Sequence, residues 1–352
     1  MKIQKDIRMG FRGEYVLRIR KKDETLVREI GPFSNLITNN GLKKMAQHSQ
    51  ERWMHYAFVT NRETEIAVTD VGISNMVGAT QQGYSYSNSG QWETEPYYCS
   101  AKVEYRMGLG WASGVPLTTV GVGWREGGFW GVSSPPPITG DYYVFSESRI
   151  LDEFGEPTTI TLAVDEFLDI EYTIYMYMFY EDQTVELFLG SDFHTFTFRP
   201  YKLNNADEWR IITPTSLATL PTGIFGHCFW WEDSSAVKGS YVYESIPNNV
   251  LPSIFDSINF SGGDNRGDGI RHSFNNSVDY QTSAIYRWPI NIANFPTGIK
   301  FGMFRSLLRR LNDPNQGIHA NYVFSVTPPI MKTDTDNLDL EFRFIVSRYE
   351  EL

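Results

Sequence analysis

The stretch LDIEYTIYMYMF, residues 168–179, indicates the class of fold because its residues alternate between two sets. Every second residue from Leu168 to Met178 is aliphatic, Met or Tyr, and the intervening set begins with Asp169 and Glu171. Successive side chains of a strand point to opposite faces of a sheet, so a period of two predicts a β-strand. The stretch LDLEFRFIVS, residues 338–347, alternates in the same way.

Similar patterns recur along the chain and predict an all-β protein with a few short helices. A hairpin is expected at 15–30 because a Lys-Lys-Asp-Glu turn separates two alternating runs. Helical spacing predicts a helix after Asn39 or Asn40 as N-cap, a second at 302–311 and a short third at 253–258. Further strands are predicted at 56–60, 100–107, 118–124, 142–150, 158–164, 184–189, 193–199, 208–213, 239–244, 284–290 and 320–326, and loops at 72–96, 126–141 and 259–281.

Several short motifs occur twice, in the same order and about 180 residues apart. The run Tyr-Val-Phe-Ser occupies 143–146 and again 322–325, and the LDIEY motif of 168–172 returns as LDLEF. Self-similarity at a fixed spacing is typical of a duplicated structural unit. The sequence therefore predicts two tandem antiparallel β-sandwich domains, 1–180 and 181–352, of which the second is a diverged copy.

Composition limits the functions that this chain of 352 residues can have. Its formal net charge is −11, which argues against a nucleic-acid surface because phosphate binding needs a basic footprint. No apolar run is long enough for a membrane-spanning helix, and the N-terminus has no signal-peptide pattern. Two cysteines and six scattered histidines match no disulfide framework or metal-ligand spacing, so neither a cofactor nor a metal is expected.

Three segments of the chain contain further motifs, and they are GPFSNLITNNGLKKM (31–45), TTVGVGW (118–124) and YVFSESRILDEFGEPTTITLAVDEFLDIEYTI (143–174). Together these segments resemble a module of tailed-bacteriophage virion proteins. The chain departs from the module's "LFSR" run at Val144 and Glu147, and its second copy lacks the N-L-I-T-N element. The matching residues are Phe33, Asn35, Leu36, Ile37, Thr38, Gly41, Leu42, Gly121, Val122, Gly123, Phe145, Ser146, Gly155, Pro157, Thr158, Asp165, Glu166, Leu168 and Tyr172.

The resemblance implies a structural component of the virion tail, in the tail, baseplate or fibre-attachment region, with no enzymatic activity. It implies other tail or baseplate proteins and further copies of the same chain as partners, in a symmetric homo-oligomer made in the cytoplasm of the bacterial host. A receptor- or carbohydrate-binding tail protein, with a host receptor or glycan as partner, is an alternative, as is a capsid decoration or head-fibre protein. A polysaccharide-degrading enzyme is a further alternative, since paired carboxylates at 165–166, 169–171 and 232–233 could cleave glycosidic bonds.

Aromatic residues make up 15% of the chain, more than two β-sandwich cores obviously need. Aromatic surfaces often mark interfaces, so we expect the 175–179 face to be buried at a domain or subunit junction. A basic cluster on the predicted helix 302–311 could contact an acidic neighbour. The acidic segment 264–269 is either a flexible loop or a calcium site. The candidate interface residues are Tyr175, Tyr177, Phe179, Trp124, Trp130, Trp230, Trp231, Arg305, Arg309 and Arg310.

Overall fold

The described part of the chain is almost entirely β-structure, with one helix, which confirms the all-β prediction. The computed structural model describes residues 2–46, 54–80, 83–91, 95–96, 98–125, 142–178, 182–189, 191–201, 230–231, 240–243, 266–275, 280–288, 290, 293–310 and 313–349.

The elements are numbered in chain order, and all strand pairs are antiparallel where their register is resolved. They are β1 (Lys2–Lys21), β2 (Leu26–Ser34), β3 (Leu36–Ile37), α1 (Asn39–Ala46), β4 (Tyr56–Thr60), β5 (Met76–Thr80), β6 (Gly83–Gln91), β7 (Tyr98–Met107), β8 (Thr119–Arg125), β9 (Tyr142–Arg149), β10 (Glu166–Met178), β11 (Gln183–Leu189), β12 (Asp192–Tyr201), β13 (Trp230–Trp231), β14 (Ser240–Tyr243), β15 (Arg266–Asn275), β16 (Gln281–Trp288), β17 (Ile299–Arg310), β18 (Asp313–Ile330) and β19 (Leu338–Arg348).

The chain divides into two compact units. The N-terminal unit contains Gly10–Tyr177 and Val346–Leu352, and the C-terminal unit contains Met1–Met9, Met178–Ile212 and Trp230–Ile345. Strands β1 and β19 each contribute residues to both units. The first segment of the N-terminal unit ends at Tyr177, and the predicted boundary is at residue 180. Unlike the prediction, the N-terminal residues 1–9 belong to the C-terminal unit, and the C-terminal residues 346–352 belong to the N-terminal unit.

The N-terminal unit is built from two sheets that pack against each other. One has the order β2–β1–β10–β7–β6, and the other the order β3–β9–β8–β4–β5. Tyr15, Tyr105 and Tyr172 on the first sheet are fully buried, as is Phe58 on the second. The Tyr105 hydroxyl donates a 2.6 Å hydrogen bond to the carbonyl oxygen of Met54, just before β4. The alternation read in 168–178 therefore supplies one face of a β-sandwich core.

The N-cap of helix α1 lies one residue before Asn39, the first of the two predicted caps. This cap is Thr38, whose Oγ1 accepts a 2.9 Å bond from the Gly41 amide and donates a 2.8 Å bond to the Val144 carbonyl. The prediction of Asn39 or Asn40 as N-cap is wrong because both residues already belong to the helix. The buried Thr38 hydroxyl satisfies a helix amide and also fixes the helix start against β9.

The described C-terminal unit has the strand order β11–β12–β18–β17–β14–β15–β16–β19, with β13 also paired to β17. The predicted helix 302–311 is wrong, because this segment lies in strand β17 and pairs with β18 almost throughout. Pairing with β13, β14 and β18 overrides the helical spacing of its apolar residues.

The structure also differs from the predicted loops and from one predicted strand. Strands β5 and β6 lie within the predicted loop 72–96, and β15 lies within the predicted loop 259–281. Segment 158–164 forms isolated bridges instead of a strand. The predicted strand 208–213, helix 253–258 and loop 126–141 lie outside the described residues.

The repeated sequence motifs occupy matching positions in the strand ladders of the two units. Trp124 of β8 is the register partner of Tyr143 of β9. Their sequence counterparts, Phe304 of β17 and Tyr322 of β18, are register partners as well. This correspondence supports a duplicated strand pair, while a second complete sandwich stays a prediction.

The LDIEY and LDLEF motifs share an ion pair across their neighbouring strands. In the N-terminal unit Asp169 lies opposite Arg106, whose Nε and Nη2 contact the carboxylate at 2.7 and 3.0 Å. In the C-terminal unit Asp339 lies opposite Arg287, and both contacts measure 2.7 Å. Two bidentate pairs at equivalent positions indicate that these sheets use one design.

Strand β9 packs so closely against Gly123 of β8 that this position has no room for a side chain. A Cβ at Gly123 would overlap the Tyr143 carbonyl oxygen, whereas a Cβ at Gly108 meets nothing within 4 Å. We expect Gly123→Ala to destabilise the protein by about 1–3 kcal/mol, because overpacking displaces β9. Gly108→Ala is the matched control and should stay within about 0.5 kcal/mol of the parent in chemical denaturation. Equal stabilities of the two variants would contradict this packing.

Candidate functional site

A buried polar network links the two sheets of the N-terminal unit. The Asn35 side chain accepts a 2.9 Å hydrogen bond from the Gly13 amide and donates to the Tyr172 hydroxyl at 3.1 Å and to Ser146 Oγ. The Tyr15 hydroxyl donates a 3.0 Å bond to the Ser146 carbonyl. The rings of Tyr15 and Tyr172 lie 4.8 Å apart. Burial raises the pKa of both tyrosines, so their hydroxyls remain neutral hydrogen-bonding groups.

This network joins residues from two separate segments of the virion-protein resemblance. Asn35 belongs to the first segment, and Ser146 and Tyr172 belong to opposite ends of the third. The glycine of the first motif, Gly41, has no room for a Cβ beside the carbonyl of Phe145. The motif residues that the structure brings together therefore pack the two sheets and the helix against one another.

Glu147, at which the chain departs from the module it resembles, pairs with a residue from a distant part of the sequence. Arg62 Nη1 contacts the carboxylates of Glu147 and Asp70, both at 2.8 Å. Glu147 and Arg62 are buried. Burial raises the pKa of Glu147 to about 7, the adjacent Asp70 carboxyl adds to this rise, and Arg62 opposes it. The acid that replaces the expected arginine is thus held in a buried cluster with one cation and a second carboxyl.

Eight charged residues line a groove of about 510 Å³ on the first sheet. Glu171 lies 2.8 Å from Arg18 and 3.2 Å from Lys102, and Asp169 lies 3.2 Å from Arg20. Burial alone would raise the pKa of Glu171, but its bonds to these two cations outweigh burial and lower the pKa. The groove is lined by Arg18, Arg20, Glu24, Lys102, Glu104, Arg106, Asp169 and Glu171.

The contacts of Asp169 and Glu171 are relevant to the prediction that paired carboxylates could cleave glycosidic bonds. A general acid needs a raised pKa, whereas the pKa of Glu171 is lowered. In the neighbouring pair, Glu166 accepts a 2.8 Å bond from the Ala163 amide in a turn. The third pair, 232–233, lies outside the described residues. Asp169 and Glu171 therefore pair with cations, and Glu166 accepts from a backbone amide.

The tyrosine face of β10 is covered in part by the chain itself. Tyr177 is 7% exposed and stacks on Tyr349, with ring centroids 3.7 Å apart. The Tyr175 hydroxyl donates a 2.9 Å bond to Glu14, and its ring contacts Tyr98 edge-on. Burial of Tyr177 thus needs no neighbouring subunit. Phe179, the last residue predicted for this face, lies outside the described residues.

The remaining interface candidates fall at three places. Trp124 is buried and stacks on Tyr143, so it belongs to the packed interior. Trp130 lies outside the described residues. Strand β13 sets Trp230 opposite Arg309 and Trp231 opposite Leu308. The basic residues predicted on a helix lie along β17, and they are Arg305, Arg309 and Arg310.

No protein family, curated protein or solved structure that was compared with this chain matches it. Within the described ranges no helix is long and apolar enough to cross a membrane. Side chains of His, Cys, Asp and Glu do not gather in a metal-binding group there either. The candidate calcium segment is partly strand, because Arg266–Gly269 pairs with β14, while Asp264 and Asn265 lie outside the description.

Sequence reasoning missed two features of this region. The Tyr-Arg dipeptide at 105–106 recurs at 286–287, and this repeat could have identified the predicted strands 100–107 and 284–290 as the partners of the LDIEY and LDLEF motifs. The cluster around Glu147 has no comparable signal, because Arg62 is 85 positions away in the chain. Only the register of β4, β8 and β9 brings these two residues together.

The buried network predicts different effects for two Tyr→Phe substitutions. Tyr172→Phe removes a hydroxyl that accepts from Asn35, and we expect a loss of about 1–2 kcal/mol in unfolding free energy. Tyr98→Phe is the matched control, since its hydroxyl makes no hydrogen bond within the described structure. It should change stability by less than about 0.5 kcal/mol in urea denaturation. A loss at Tyr98 as large as that at Tyr172 would contradict the assigned network.

The raised pKa of Glu147 predicts that the free energy of unfolding falls as the pH rises. A carboxyl with a pKa of about 7 when folded and 4.5 when unfolded favours folding fully below pH 4.5, and this contribution is lost as the pH rises toward 7. Glu147→Gln removes the titration and keeps an acceptor for Arg62. We expect its stability relative to the parent to rise between pH 4.5 and 7, by up to about 3 kcal/mol.

Thermal unfolding across this pH range measures the difference. Glu153→Gln is the control, because it removes a carboxylate from an exposed turn and leaves Glu147 in place. Its stability curve should run parallel to that of the parent. A parallel curve for Glu147→Gln as well would contradict the raised pKa.

Proposed function

We propose that this chain is a non-enzymatic structural component of a tailed-phage virion. It works in the tail, baseplate or fibre-attachment region, where it assembles with other virion proteins and with further copies of itself. It is made in the host cytoplasm and resides in the particle. It needs no cofactor for this role.

The observation that carries the proposal is the convergence of the resemblance motifs on one architectural network. Asn35, Ser146 and Tyr172 come from distant parts of the sequence and meet through hydrogen bonds. Residues selected for chemistry would surround a space for substrate, whereas these residues fill the space between two sheets. A module that is retained for its shape suits a protein that serves as a building block.

The charges of the described residues fit the same role. The groove on the first sheet contains four cationic and four anionic side chains, and its acids pair with its own cations. Because the acids of the groove pair with its cations, this sheet face is stiffened and has little net charge to attract an ionic substrate. The alternative of a carbohydrate-binding tail protein would rely on Trp130, Trp230 and Trp231, because Trp124 and Tyr177 are packed inside.

Quantitative mass spectrometry of purified virions of the encoding phage tests the proposal. We expect a constant number of copies per particle that matches the symmetry of the tail, with antibody labelling at the tail. Labelling at the head would replace the proposal with a capsid decoration or head-fibre protein. A chain that is abundant in the lysate and absent from particles would overturn a virion role.

A further inference from the structure

Strand β11 forms an edge of the described C-terminal unit. It pairs with β12 along its whole length, from Gln183 opposite Phe198 to Leu189 opposite Asp192, without a bulge. No described strand pairs with its other side. Among the described residues, one row of backbone donors and acceptors along β11 therefore has no strand partner.

Many natural edge strands carry lysine, proline or a bulge, and strand β11 has none of these three. The sequence of β11, QTVELFL, contains no proline and no basic residue, and Glu186 is its only charge. An extended, regular edge of seven residues is therefore open to addition of a strand.

An aromatic pair stands exposed beside the open edge. Phe188 is 64% exposed, and Phe193, its register partner on β12, is 56% exposed. Their rings meet edge-on with centroids 5.8 Å apart. Large exposed aromatics next to an unpaired backbone point to a surface that another strand covers.

We propose that β11 pairs antiparallel with β11 of a second copy, about a two-fold axis at Leu187. This inference names one contact of the proposed assembly and to that extent rests on the proposed function. A second copy is the occupant because the strand is self-complementary in this register. Leu187 lies opposite Leu187 of the second copy, and Val185 lies opposite its Leu189.

The register follows from charge and from the aromatic pair. An axis at Glu186 would set two carboxylates directly opposite each other, which is destabilising. An axis at Leu187 sets each Glu186 opposite Phe188 of the other copy. The two Phe188 rings then become diagonal neighbours on one face, within reach of aromatic contact. Each Phe193 lies beside its Phe188, so four phenylalanine rings cover the seam, the line along which the two β11 strands pair.

Disulfide trapping tests this register. In the full-length chain, Leu187→Cys places two thiols on directly opposite positions, about 4.5–5.5 Å apart between Cα atoms, which a disulfide can bridge. Val185→Cys is the matched control on the same strand and the same face. Its two thiols would lie about 13 Å apart along the seam and cannot join.

We expect mild oxidation to convert most of the Leu187→Cys chain to a covalent dimer. The Val185→Cys chain should stay at the level of the unsubstituted chain, which sets the background from Cys99 and Cys228. Equal trapping at both positions, or no trapping at Leu187, would overturn the register.

Sedimentation velocity of charge variants tests the edge without new thiols. Phe188→Glu sets a second carboxylate directly opposite Glu186 of the other copy, and we expect the dissociation constant of the dimer to rise at least tenfold. Phe154→Glu makes the same change at a turn residue that is 81% exposed, and it should alter that constant less than twofold. Equal effects of both variants would overturn the role of the β11 edge.

The two proposals fail in different ways. If Leu187→Cys traps dimers while the chain is absent from virions, the β11 contact stands and the virion role falls. If the chain is present in virions but Phe188→Glu leaves its self-association unchanged, the virion role stands and the β11 contact falls.

Discussion

The N-terminal unit depends on a few hydrogen bonds around the side chain of Asn35. This amide connects the Gly13 backbone, the Ser146 hydroxyl and the Tyr172 hydroxyl, in a place where polar groups without partners would be costly. Buried networks of this kind specify one arrangement, because a shifted strand would leave several donors and acceptors unsatisfied at once. The two sheets and the start of α1 are therefore held in one register relative to each other.

Ion pairs across neighbouring strands complement this network on the outer sheet face. The bidentate pair of Asp169 with Arg106 recurs as Asp339 with Arg287 in the other unit. Bidentate geometry adds directional specificity, which a single contact between exposed charges lacks. Both pairs lie on the polar face of an alternating strand, and thus the same pattern that buries one face also positions the ions on the other.

Local patterns in the sequence predict the regular parts of this fold well. The alternation in 168–178 and 338–347 identifies two long strands, because a period of two depends only on neighbouring residues. Segment 302–311 shows the limit of this reasoning. The spacing of its leucines predicts a helix, but pairing with neighbouring strands makes it part of β17. Glu147 shows the same limit at a site, because the burial that raises its pKa and the arginine beside it both arise only in the tertiary fold.

The central claim is that Asn35 and Ser146, from separate motif segments, stabilise the protein as one unit. A double-mutant cycle with Asn35→Ala and Ser146→Ala measures their interaction directly through the unfolding free energies of four chains. The account predicts a coupling free energy of about 0.5–3 kcal/mol, because either substitution removes the bond that the other partner needs. Additive losses, with a coupling near zero, would contradict it.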